Sequence, residues 1–413
     1  MFEIKIYDFN LAIKIFFIKL KFGLHRFLRI ISLIDFLLPK KKKRICFCVS
    51  HEHISVCSKY YNYLKEKHKD EYELLVLISD KNYCNKFDNS YYFLNPIGIL
   101  KAMTSKIVIA GTAVELIDIF SSKRHIYLYF NHGMPVKAIG FAIPNRTKSI
   151  ERRYKFIGDN AKLFVTSDVF KNLTISCTKA TFKNVYVTGT PRNDLIGSTK
   201  NDDKIKKLFN IEKYNKIVLY MPTYMKREHC NDSQAGKEFN NIFYLDDYNK
   251  DDFIKTIEEN NILFIMKPHP WEEYFYKKNP DVVPKSENFK IVYNEDFYKN
   301  DIEQYELFKF IDCMISDYSS SPIDFLLLNK PVIYMNALAE GYSKSRGMTL
   351  EDNYEILMPG IKITKYAEFM PALLDALSKD SYKQERERLL PLIHKYRDFN
   401  SCERIYNIMK DLK

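Results

Sequence analysis

Short apolar runs rich in β-branched and aromatic residues recur along this chain, and stretches with helical periodicity separate them. The first series, from residue 44, contains "RICFCVS", "YELLVLIS", "KIVIAG", "IYLYFN", "KLFVTS" and "NVYVTG". The second contains "KIVLYMPTY", "ILFIMKPHP", "FKIVYN", "IDCMISD" and "PVIYM". Buried strands that alternate with helices predict a parallel, doubly wound α/β architecture. We therefore expect two Rossmann-like lobes with a cleft between them, because open α/β sheets bind ligands at the carboxyl ends of their strands.

The lysine-rich joint "GSTKNDDKIKKLF" separates the two series, and 413 residues exceed what one hydrophobic core usually supports. A helical tail, "YKQERERLLPLIHKYRDFNSCERIYNIMKDL", follows the second series, and Pro391 is expected to kink it. The predicted domains are a basic amphipathic segment at 1–44, an N-terminal lobe at 45–200, a C-terminal lobe at 201–380 and C-terminal helices at 381–413.

The net charge of +12 is concentrated at the N-terminus. Residues 1–44 hold eleven Lys or Arg and three Asp or Glu, a net of +8, which leaves +4 for the other 369 residues. A nucleic-acid partner is therefore not expected of the folded body. The eight cysteines are scattered without a CxxC pair. This usage is typical of buried thiols in a reducing compartment, so a cytoplasmic location is predicted.

The N-terminal segment "LAIKIFFIKLKFGLHRFLRIISLIDFLLPKKKKR" is apolar but interrupted by charges, and no uncharged run approaches the roughly 20 residues that span a bilayer. Its polar residues recur at helical spacing, and a basic cluster, Lys40–Arg44, follows. The pattern favours amphipathic helices that lie on an anionic membrane surface, with a helix packed on the protein's own core as the alternative.

An anion site is predicted in "FIDCMISDYSSSPIDFLLLNKPVIYM", residues 310–335. A strand ends there at Asp317, three serines follow, and Ser321 is expected to cap a helix with Pro322 first and Asp324 three residues after the cap. Hydroxyls and exposed amides at a helix start bind anions, although such a turn is also simply good folding.

Two other strand ends in the same lobe carry candidate donor contacts. "FIMKPHP" sets Lys267 and His269 at a strand end, where Pro268 and Pro270 fix the direction of the two side chains; this suits a pyrophosphate, although structural roles are also open. "MPTYMKRE" offers Thr223 and Lys226. The loop that contains Arg346 either is solvated or lines the nucleotide site.

The stretch "YFNHGMPVKAIG" places His132 after a strand of the first lobe. A histidine with an ordinary pKa near 6.5 suits proton abstraction close to neutrality, so we expect a general base there, with a locally hydrogen-bonded ring as the alternative. In "VTGTPRNDLI", Arg192 and Asp194 either form a hinge ion pair or contact ligands.

Taken in order, "NHGMPVK", "GTPRND", "MPTY", "KPHP", "SDYSSSPIDF" and "RG…PG" resemble the CDP-glycerol glycerophosphotransferase family, which includes teichoic-acid primases and polymerases and relatives in capsule synthesis. The similarity runs from about residue 45 to residue 380. It implies a GT-B fold and peripheral attachment at the cytoplasmic face of the bacterial inner membrane. It also implies transfer of a polyol phosphate, glycerol phosphate first, from a CDP-activated donor to a hydroxyl of a lipid-linked or glycan acceptor, with release of CMP.

The resemblance also implies roles for single residues. His132 and His269 match histidines that the family needs for activity, and the turn from Asp317 through Tyr318 and Ser319 to Ser320 matches part of the donor site. We expect His132 to act as general base and Lys137 to contact an acceptor phosphate. We expect His269, Lys267 and the turn up to Ser321 to stabilise the pyrophosphate and the departing CMP.

The chain departs from the family at Asn131, Met134 and Tyr224, where an aromatic residue, Thr and Trp are frequent, so the polyol is open. No carboxylate cluster has metal-ligand spacing; no cofactor or protein-bound metal is expected, and the donor itself can carry Mg²⁺. The competing interpretations are a GT-B glycosyltransferase that uses a nucleotide sugar, a nucleotide-sugar epimerase and a non-catalytic membrane-associated binding protein.

Overall fold

A computed structural model of the protein describes residues 33–50, 54–111, 119–120, 124–131, 133–223, 241–337, 343 and 347–412. This part of the chain divides into two compact units. The first contains residues 33–57 and 61–129, and the second contains residues 58–60 and 130–412. Both are built on parallel strands with helices between them, which confirms the α/β class. The four predicted domain ranges and the predicted cleft stay predictions.

The first unit is a run of parallel strands in the spatial order β3-β2-β1-β4-β5. The central strand has neighbours on both sides: Ile45 lies beside Leu74 on one strand and beside Ile107 on another. Because both faces of such a strand are covered, its apolar run is continuous rather than alternating. The elements are β1 Lys41–Val49, α1 Ser55–Lys67, β2 Glu73–Ile78, a 3₁₀ helix Lys81–Lys86, β3 Ser90–Tyr92, α2 Pro96–Met103, β4 Ser105–Ala110 and β5 Ile126–Tyr129.

The second unit begins with a parallel pair of strands, β6 Ala161–Val165 and β7 Val185–Val187. The helices α3 Lys148–Asn160, α4 Asp168–Thr178 and α5 Asp202–Phe209 belong to the same region. Its 3₁₀ helices are Gly140–Ala142, Phe182–Asn184, Pro191–Leu195 and Ile211–Lys213.

A six-stranded parallel sheet follows in the second unit, in the order β10-β9-β8-β11-β12-β13. Its strands are β8 Lys216–Tyr220, β9 Ile262–Met266, β10 Phe289–Ile291, β11 Cys313–Ser316, β12 Val332–Met335 and β13 Ile361–Ile363. Its helices are α6 Lys250–Glu259, α7 Glu273–Lys278, α8 Asn294–Lys299, α9 Ser321–Phe325 and α10 Tyr366–Ser378, with 3₁₀ helices at Pro270–Glu272, Pro280–Val282, Gln304–Phe310, Leu326–Leu328 and Glu351–Leu357.

An aromatic cluster holds this sheet in place. Phe264 of β9 stacks on Phe289 of β10 with ring centroids 5.7 Å apart, and Phe253 of α6 meets both rings edge-on. All three side chains are buried. Each contributes about 1.5–3 kcal/mol through burial alone. The cluster therefore holds β9 and β10 against α6.

Three local outcomes differ from or refine the sequence-based expectations. The stretch before β13, expected to be loop-like, folds into the 3₁₀ helix Glu351–Leu357 and β13, which pairs with β12. The C-terminal tail is helical as expected, but it forms two helices, α11 Lys383–Ile393 and α12 Ser401–Asp411. Pro391 lies inside α11, two residues before its last residue, so it removes one hydrogen bond of the final turn.

Most of the predicted amphipathic segment, residues 1–32, lies outside the described residues. Residues 33–37 of this segment are helical, and its last four residues, 41–44, belong to strand β1 rather than to a helix. No helix within the described ranges is long and apolar enough to cross a membrane. The seven cysteines within those ranges are free thiols, and six of them are buried.

Candidate active site

Three neighbouring strands of the six-stranded sheet end at the same edge, because β9, β8 and β11 are adjacent and parallel. The segments that leave these ends are Lys267–His269, Met221–Thr223 and Asp317–Ser321. Backbone hydrogen bonds continue past the strands, from Lys267 N to Tyr220 O and from Met221 N to Ile315 O. The strand ends thus bring together most of the residues that sequence reasoning assigned to a donor.

Asp317 is the centre of the hydrogen-bonding network at this edge. Its carboxylate accepts bonds from Thr223 N at 2.6 Å, from Thr223 Oγ1 at 2.7 Å and from Ser319 N at 3.0 Å. The residue is 2% exposed. Burial raises the pKa of Asp317, while the charge of Lys137 and the three hydrogen bonds act to lower it. The carboxylate therefore holds the ends of β8 and β11 together.

Lys137, predicted as an acceptor contact, joins the same network. Its Nζ donates to Thr223 Oγ1 at 3.2 Å, and the Thr223 hydroxyl in turn donates to Asp317. The lysine backbone forms an antiparallel bridge with Met348, next to a hydrogen bond from Ala138 N to Gly347 O at 3.0 Å. Residues 136–138 and 347–349 therefore form one paired structure beside Thr223 and Asp317.

The serine turn is built differently from the prediction. Helix α9 begins at Ser321, and Ser320 takes the N-cap position without a side-chain cap bond, so the prediction of Ser321 as the cap was wrong by one residue. Residues before Ser320 accept the N–H groups of the turn instead. Asp317 accepts a hydrogen bond from Ser319 N, and Ser319 Oγ accepts one from Ser321 N at 3.4 Å. Tyr318 is buried, with its ring 6.3 Å from that of Tyr354.

Lys267 is buried at the end of β9, with 4% of its surface exposed. Its Nζ donates to Pro268 O at 3.0 Å and lies 3.5 Å from Glu273 Oε1. Burial lowers the pKa of Lys267 to about 8, although Glu273 acts in the opposite direction. A direct contact with a phosphate therefore requires the ammonium to exchange these partners, and the contact stays a prediction.

His269 lies two residues further, at the start of the 3₁₀ helix Pro270–Glu272, and is partly exposed. Its Nδ1 accepts a hydrogen bond from Trp271 N at 3.2 Å. A neutral ring in this arrangement carries its proton on Nε2. The local fold thus sets His269 up as a donor through Nε2, which is the role that a departing phosphate needs.

Arg192 and Asp194 have separate partners and do not pair with each other as a hinge ion pair would. Arg192 pairs with Asp324 of α9. Asp194 accepts from Ser401 N at 2.9 Å and from Cys402 N at 2.7 Å, so it caps α12. Burial raises the pKa of Asp194, and these two N–H groups act to lower it. These two hydrogen bonds give Asp194 a structural role as a helix cap.

Three predicted site residues, His132, Lys226 and Arg346, lie outside the described residues.

Sequence reasoning missed two residues that make contacts at or near the site. Glu273, which pairs with Lys267, was signalled only by its place in "KPHPWEE". Tyr305, which donates to Asp324 at 2.9 Å, had no local signal at all.

Within the part of the chain that the structure describes, no group of three or more His, Cys, Asp or Glu side chains is arranged to hold a metal ion. Among the described residues, the network around Asp317 contains one carboxylate. The metal requirement stays a prediction.

A family model described as CDP-Glycerol:Poly(glycerophosphate) glycerophosphotransferase matches residues 30–410. The chain belongs to this family. The match confirms the resemblance drawn from the ordered motifs, and it makes the protein an enzyme of the CDP-glycerol glycerophosphotransferase type.

Individual relatives are similar over most of the chain. The teichoic acid glycerol-phosphate primase of Bacillus subtilis (strain 168) is 26% identical over 334 residues, which cover 77% of this chain and 78% of the primase. The teichoic acid poly(glycerol phosphate) polymerase of Bacillus spizizenii (strain ATCC 23059 / NRRL B-14472 / W23) is 27% identical over 368 residues, 84% of this chain and 86% of the polymerase.

Solved structures support the fold. The wall teichoic acid polymerase TagF matches 100% of both chains with a TM-score of 0.71 at 18% identity, so the glycerophosphotransferase described here is GT-B-like. A putative UDP-N-acetylglucosamine 2-epimerase from Listeria monocytogenes matches 90% of this chain and 96% of its own, with a TM-score of 0.58 at 13% identity. The fold alone therefore does not separate a transferase from an epimerase.

Proposed function

We propose that the protein transfers glycerol phosphate from CDP-glycerol to a hydroxyl of a lipid-linked or glycan acceptor and releases CMP, in the synthesis of a teichoic-acid-like or capsule polymer. The observation that carries this proposal is the convergence of Lys137, Thr223, Asp317 and the serine turn at one sheet edge, in a member of this family. Relatives that match more than three quarters of this chain are glycerol-phosphate primases and polymerases, whereas two ribitol-phosphate polymerases of Staphylococcus aureus match 54% and 56% of it, and this difference in coverage favours glycerol.

The chemistry is a single phosphoryl transfer. The acceptor oxygen forms a bond to the distal phosphorus of the donor, the bond from that phosphorus to the bridging oxygen breaks, and CMP leaves. His132 takes the proton of the acceptor hydroxyl. Such a reaction is catalysed mainly by positioning and by electrostatic stabilisation of phosphate oxygens. No metal bound by protein ligands is part of this proposal, and a donor-borne Mg²⁺ is compatible with it.

The donor side is assigned to the serine turn and His269. The hydroxyls of Ser319, Ser320 and Ser321 are half-buried at the end of β11, where they offer donors to pyrophosphate oxygens. His269 donates from Nε2 to the departing CMP phosphate, consistent with the bond that its Nδ1 accepts. Lys226 and Arg346 are further proposed cationic contacts with the donor.

The acceptor side is assigned to His132 and Lys137. The Lys137 ammonium already bonds Thr223, and its charge also acts on Asp317. It is therefore close enough to the donor side to contact a phosphate that the acceptor brings. Asn131, with a positive φ of 58°, and buried Met134 flank His132 in sequence, and we propose that they shape acceptor choice.

The test is product release by the purified full-length chain. Reactions with CDP-glycerol, CDP-ribitol or UDP-sugars, with a lipid-linked saccharide that ends in a free hydroxyl, are scored for free CMP or UDP. CMP release that is fastest with CDP-glycerol supports the proposal. UDP release without CMP contradicts it and favours a nucleotide-sugar glycosyltransferase, and a change of the UDP-sugar without transfer to the acceptor favours an epimerase.

His132 is tested separately. We expect His132→Ala to lower turnover by about 10²–10⁴-fold, the usual contribution of a general base, while calorimetric binding of CDP-glycerol is retained. His68→Ala is the control, because His68 pairs with Glu71 at the end of α1 and has no proposed role. Loss of donor binding in His132→Ala would instead assign His132 to the pyrophosphate.

Peripheral attachment to the membrane is proposed for the start of the chain. Leu33, Ile34, Phe36 and Leu37 are each more than half exposed in the helical stretch 33–37. Exposed apolar side chains next to a basic cluster fit an anionic bilayer surface.

Buried Asp35 anchors this stretch. It accepts from Lys40 Nζ at 2.5 Å and lies 2.8 Å from His125 Nε2. Because these contacts hold Asp35 in the protein interior, the apolar side chains next to it in the helical stretch 33–37 are exposed to solvent.

The membrane proposal is tested by sedimentation with phosphatidylglycerol or phosphatidylcholine vesicles. The double variant Leu33→Gln/Leu37→Gln should bind phosphatidylglycerol vesicles several-fold more weakly than the parent protein. Phe182→Gln, which changes another exposed apolar residue, should have no effect. Equal binding by all three proteins, or equal binding to both lipids, contradicts the proposal.

A further inference from the structure

A buried ion pair lies beside the serine turn. Arg192, in the 3₁₀ helix Pro191–Leu195, pairs through Nη2 with Asp324 Oδ2, and the two residues are 5% and 1% exposed. The hydroxyl of Tyr305 donates to the same Oδ2 at 2.9 Å. The guanidinium carbon also lies 5.0 Å from the centroid of the Tyr305 ring. One arginine therefore binds a carboxylate and packs on an aromatic face within the same cluster.

Asp324 connects this cluster to the serine turn. Helix α9 has only five residues, so Asp324 lies within one helical turn of Ser320. The Asp324 backbone N–H donates to Ser320 O at 3.3 Å. The short helix therefore connects Asp324 to Ser320 and Ser321 through its backbone.

Gly133 closes the other side of the cluster. A Cβ atom on this glycine would lie 2.1 Å from Ser320 Oγ and 2.8 Å from Arg192 Nη2, so both side chains lie against the glycine backbone. The φ of Gly133 is 155°, which other residues rarely adopt. Arg192 thus touches the segment that contains Gly133 and, through Asp324, holds the turn that contains Ser320.

We propose that Arg192 is a positioning residue for phosphoryl transfer, whose ion pair with Asp324 sets the serine turn against Gly133. The inference rests on the proposed function, since it assigns the turn to the donor phosphates. Arg192 does not contact substrate in this assignment, because its guanidinium is buried and already bound by Asp324 and Tyr305. Instead, Arg192 sets the distance between the serine turn and residues 133–138.

The main variant is Arg192→Lys, which keeps the charge but loses the planar guanidinium that pairs and stacks at once. We expect kcat/KM for CDP-glycerol to fall by about 10²-fold, the effect of roughly 1 Å of misplacement, with a rise in donor Kd and a fall in kcat. Tyr305→Phe removes only one hydroxyl, so it should fold normally and lower kcat/KM by a smaller factor.

Arg386→Lys is the matched control. Arg386 is 1% exposed and pairs through Nη1 at 2.7 Å with Asp380, whose side chain is 23% exposed, so the substitution disturbs the ion pair of another buried arginine away from the serine turn. Its melting temperature should also fall, with kcat/KM unchanged. Equal kcat/KM losses in the two lysine variants, or no loss in Arg192→Lys, would overturn the proposal.

Hydrogen exchange separates this inference from the proposed function. In protein without ligand, the amides of residues 319–325 should exchange faster in Arg192→Lys than in the parent chain or in Arg386→Lys. If the parent protein neither binds nor turns over CDP-glycerol, the proposed function fails, whereas faster exchange still supports the role of Arg192 in ordering the serine turn. Unchanged exchange at residues 319–325 overturns that role whatever the activity.

Discussion

The ends of β9 and β11 each hold one buried charge, but they satisfy it differently. Asp317 receives three hydrogen bonds from two strand ends and lies near the positive charge of Lys137. Lys267 has one carbonyl at 3.0 Å and a carboxylate at 3.5 Å. Burial favours the neutral form of both residues: it raises the pKa of Asp317 and lowers the pKa of Lys267 to about 8. Asp317 is thus a fixed element of the framework, whereas Lys267 titrates within the range of an ordinary assay.

Asp317→Asn should have the largest effect of the substitutions at these two strand ends. The new amide offers one acceptor and directs an NH₂ group at N–H donors, so we expect a loss of about 3 kcal/mol in the free energy of unfolding. We also expect kcat/KM to fall more than 100-fold, because an interaction of this size is lost at the reacting centre. Denaturant melts and CMP release measure the two effects.

Asp312→Asn is the control for that variant, since Asp312 stands just before β11, at its other end, where it accepts a bond from Ile217 N at 2.8 Å. It should lose about 1 kcal/mol of stability and no activity. If Asp317→Asn behaved like Asp312→Asn, the framework role of Asp317 would be wrong.

Lys267→Met tests the buried charge at the end of β9. A folded-state pKa of about 8, below the ordinary 10.5, means that the unfolded chain holds more protons between those pH values. The free energy of unfolding contributed by Lys267 should therefore rise with pH across this window, by roughly 3 kcal/mol in total. The rise is read as the difference between the parent protein and Lys267→Met in melts from pH 7 to 10.5.

Donor affinity should have the opposite slope. If the ammonium contacts the donor, CDP-glycerol binding by the parent protein weakens above pH 8, and Lys267→Met shows no such trend. Lys255→Met removes an exposed lysine as the control and should match the parent in both measurements. A parent protein whose stability falls relative to Lys267→Met over this window would contradict the burial of Lys267.

Gly133→Ala tests the close approach on which the two sides of the site depend. Its Cβ would overlap Ser320 Oγ and, at 2.4 Å, Ser320 Cβ, so we expect about 2 kcal/mol of destabilisation and a loss of activity. Adding Ser320→Gly should restore part of the stability, whereas Ser320→Ala should not, because the Cβ overlap persists. Equal behaviour of the two double variants would show that Ser320 is not the obstacle.

Asp194→Asn should have the smallest effect. The change removes one of two acceptors for the first N–H groups of α12, which is worth about 1 kcal/mol. Activity at saturating donor should be unchanged in the CMP assay. A loss of donor affinity larger than the stability loss would instead favour a ligand contact for Asp194.

Sequence reasoning succeeded where the information is local. Continuous apolar runs predicted the parallel strands, and the residues that follow three such runs predicted which side chains meet at the sheet edge. It missed β3, whose three side chains are all partly exposed, and it did not recognise β13, in which only Ile363 is buried.

Pairings between distant segments were beyond its reach. Asp324 was noticed as a residue near a helix start, yet its partner Arg192 lies 132 positions away. The burial of Lys267 was also missed, because a lysine next to prolines gives no sign of what covers it. Both cases depend on tertiary contacts that local propensity does not encode.

The cap that Asp194 provides has a consequence for biosynthesis. Its two partners lie 207 and 208 residues further along the chain, and Thr166 Oγ1 donates to Ile393 O, 227 residues away. At a translation rate of about 5–20 residues per second, roughly 10–40 s pass between the synthesis of Asp194 and that of its partners. Throughout that interval the nascent chain carries the region around β6 and β7 in an unfinished state, exposed to chaperones and proteases.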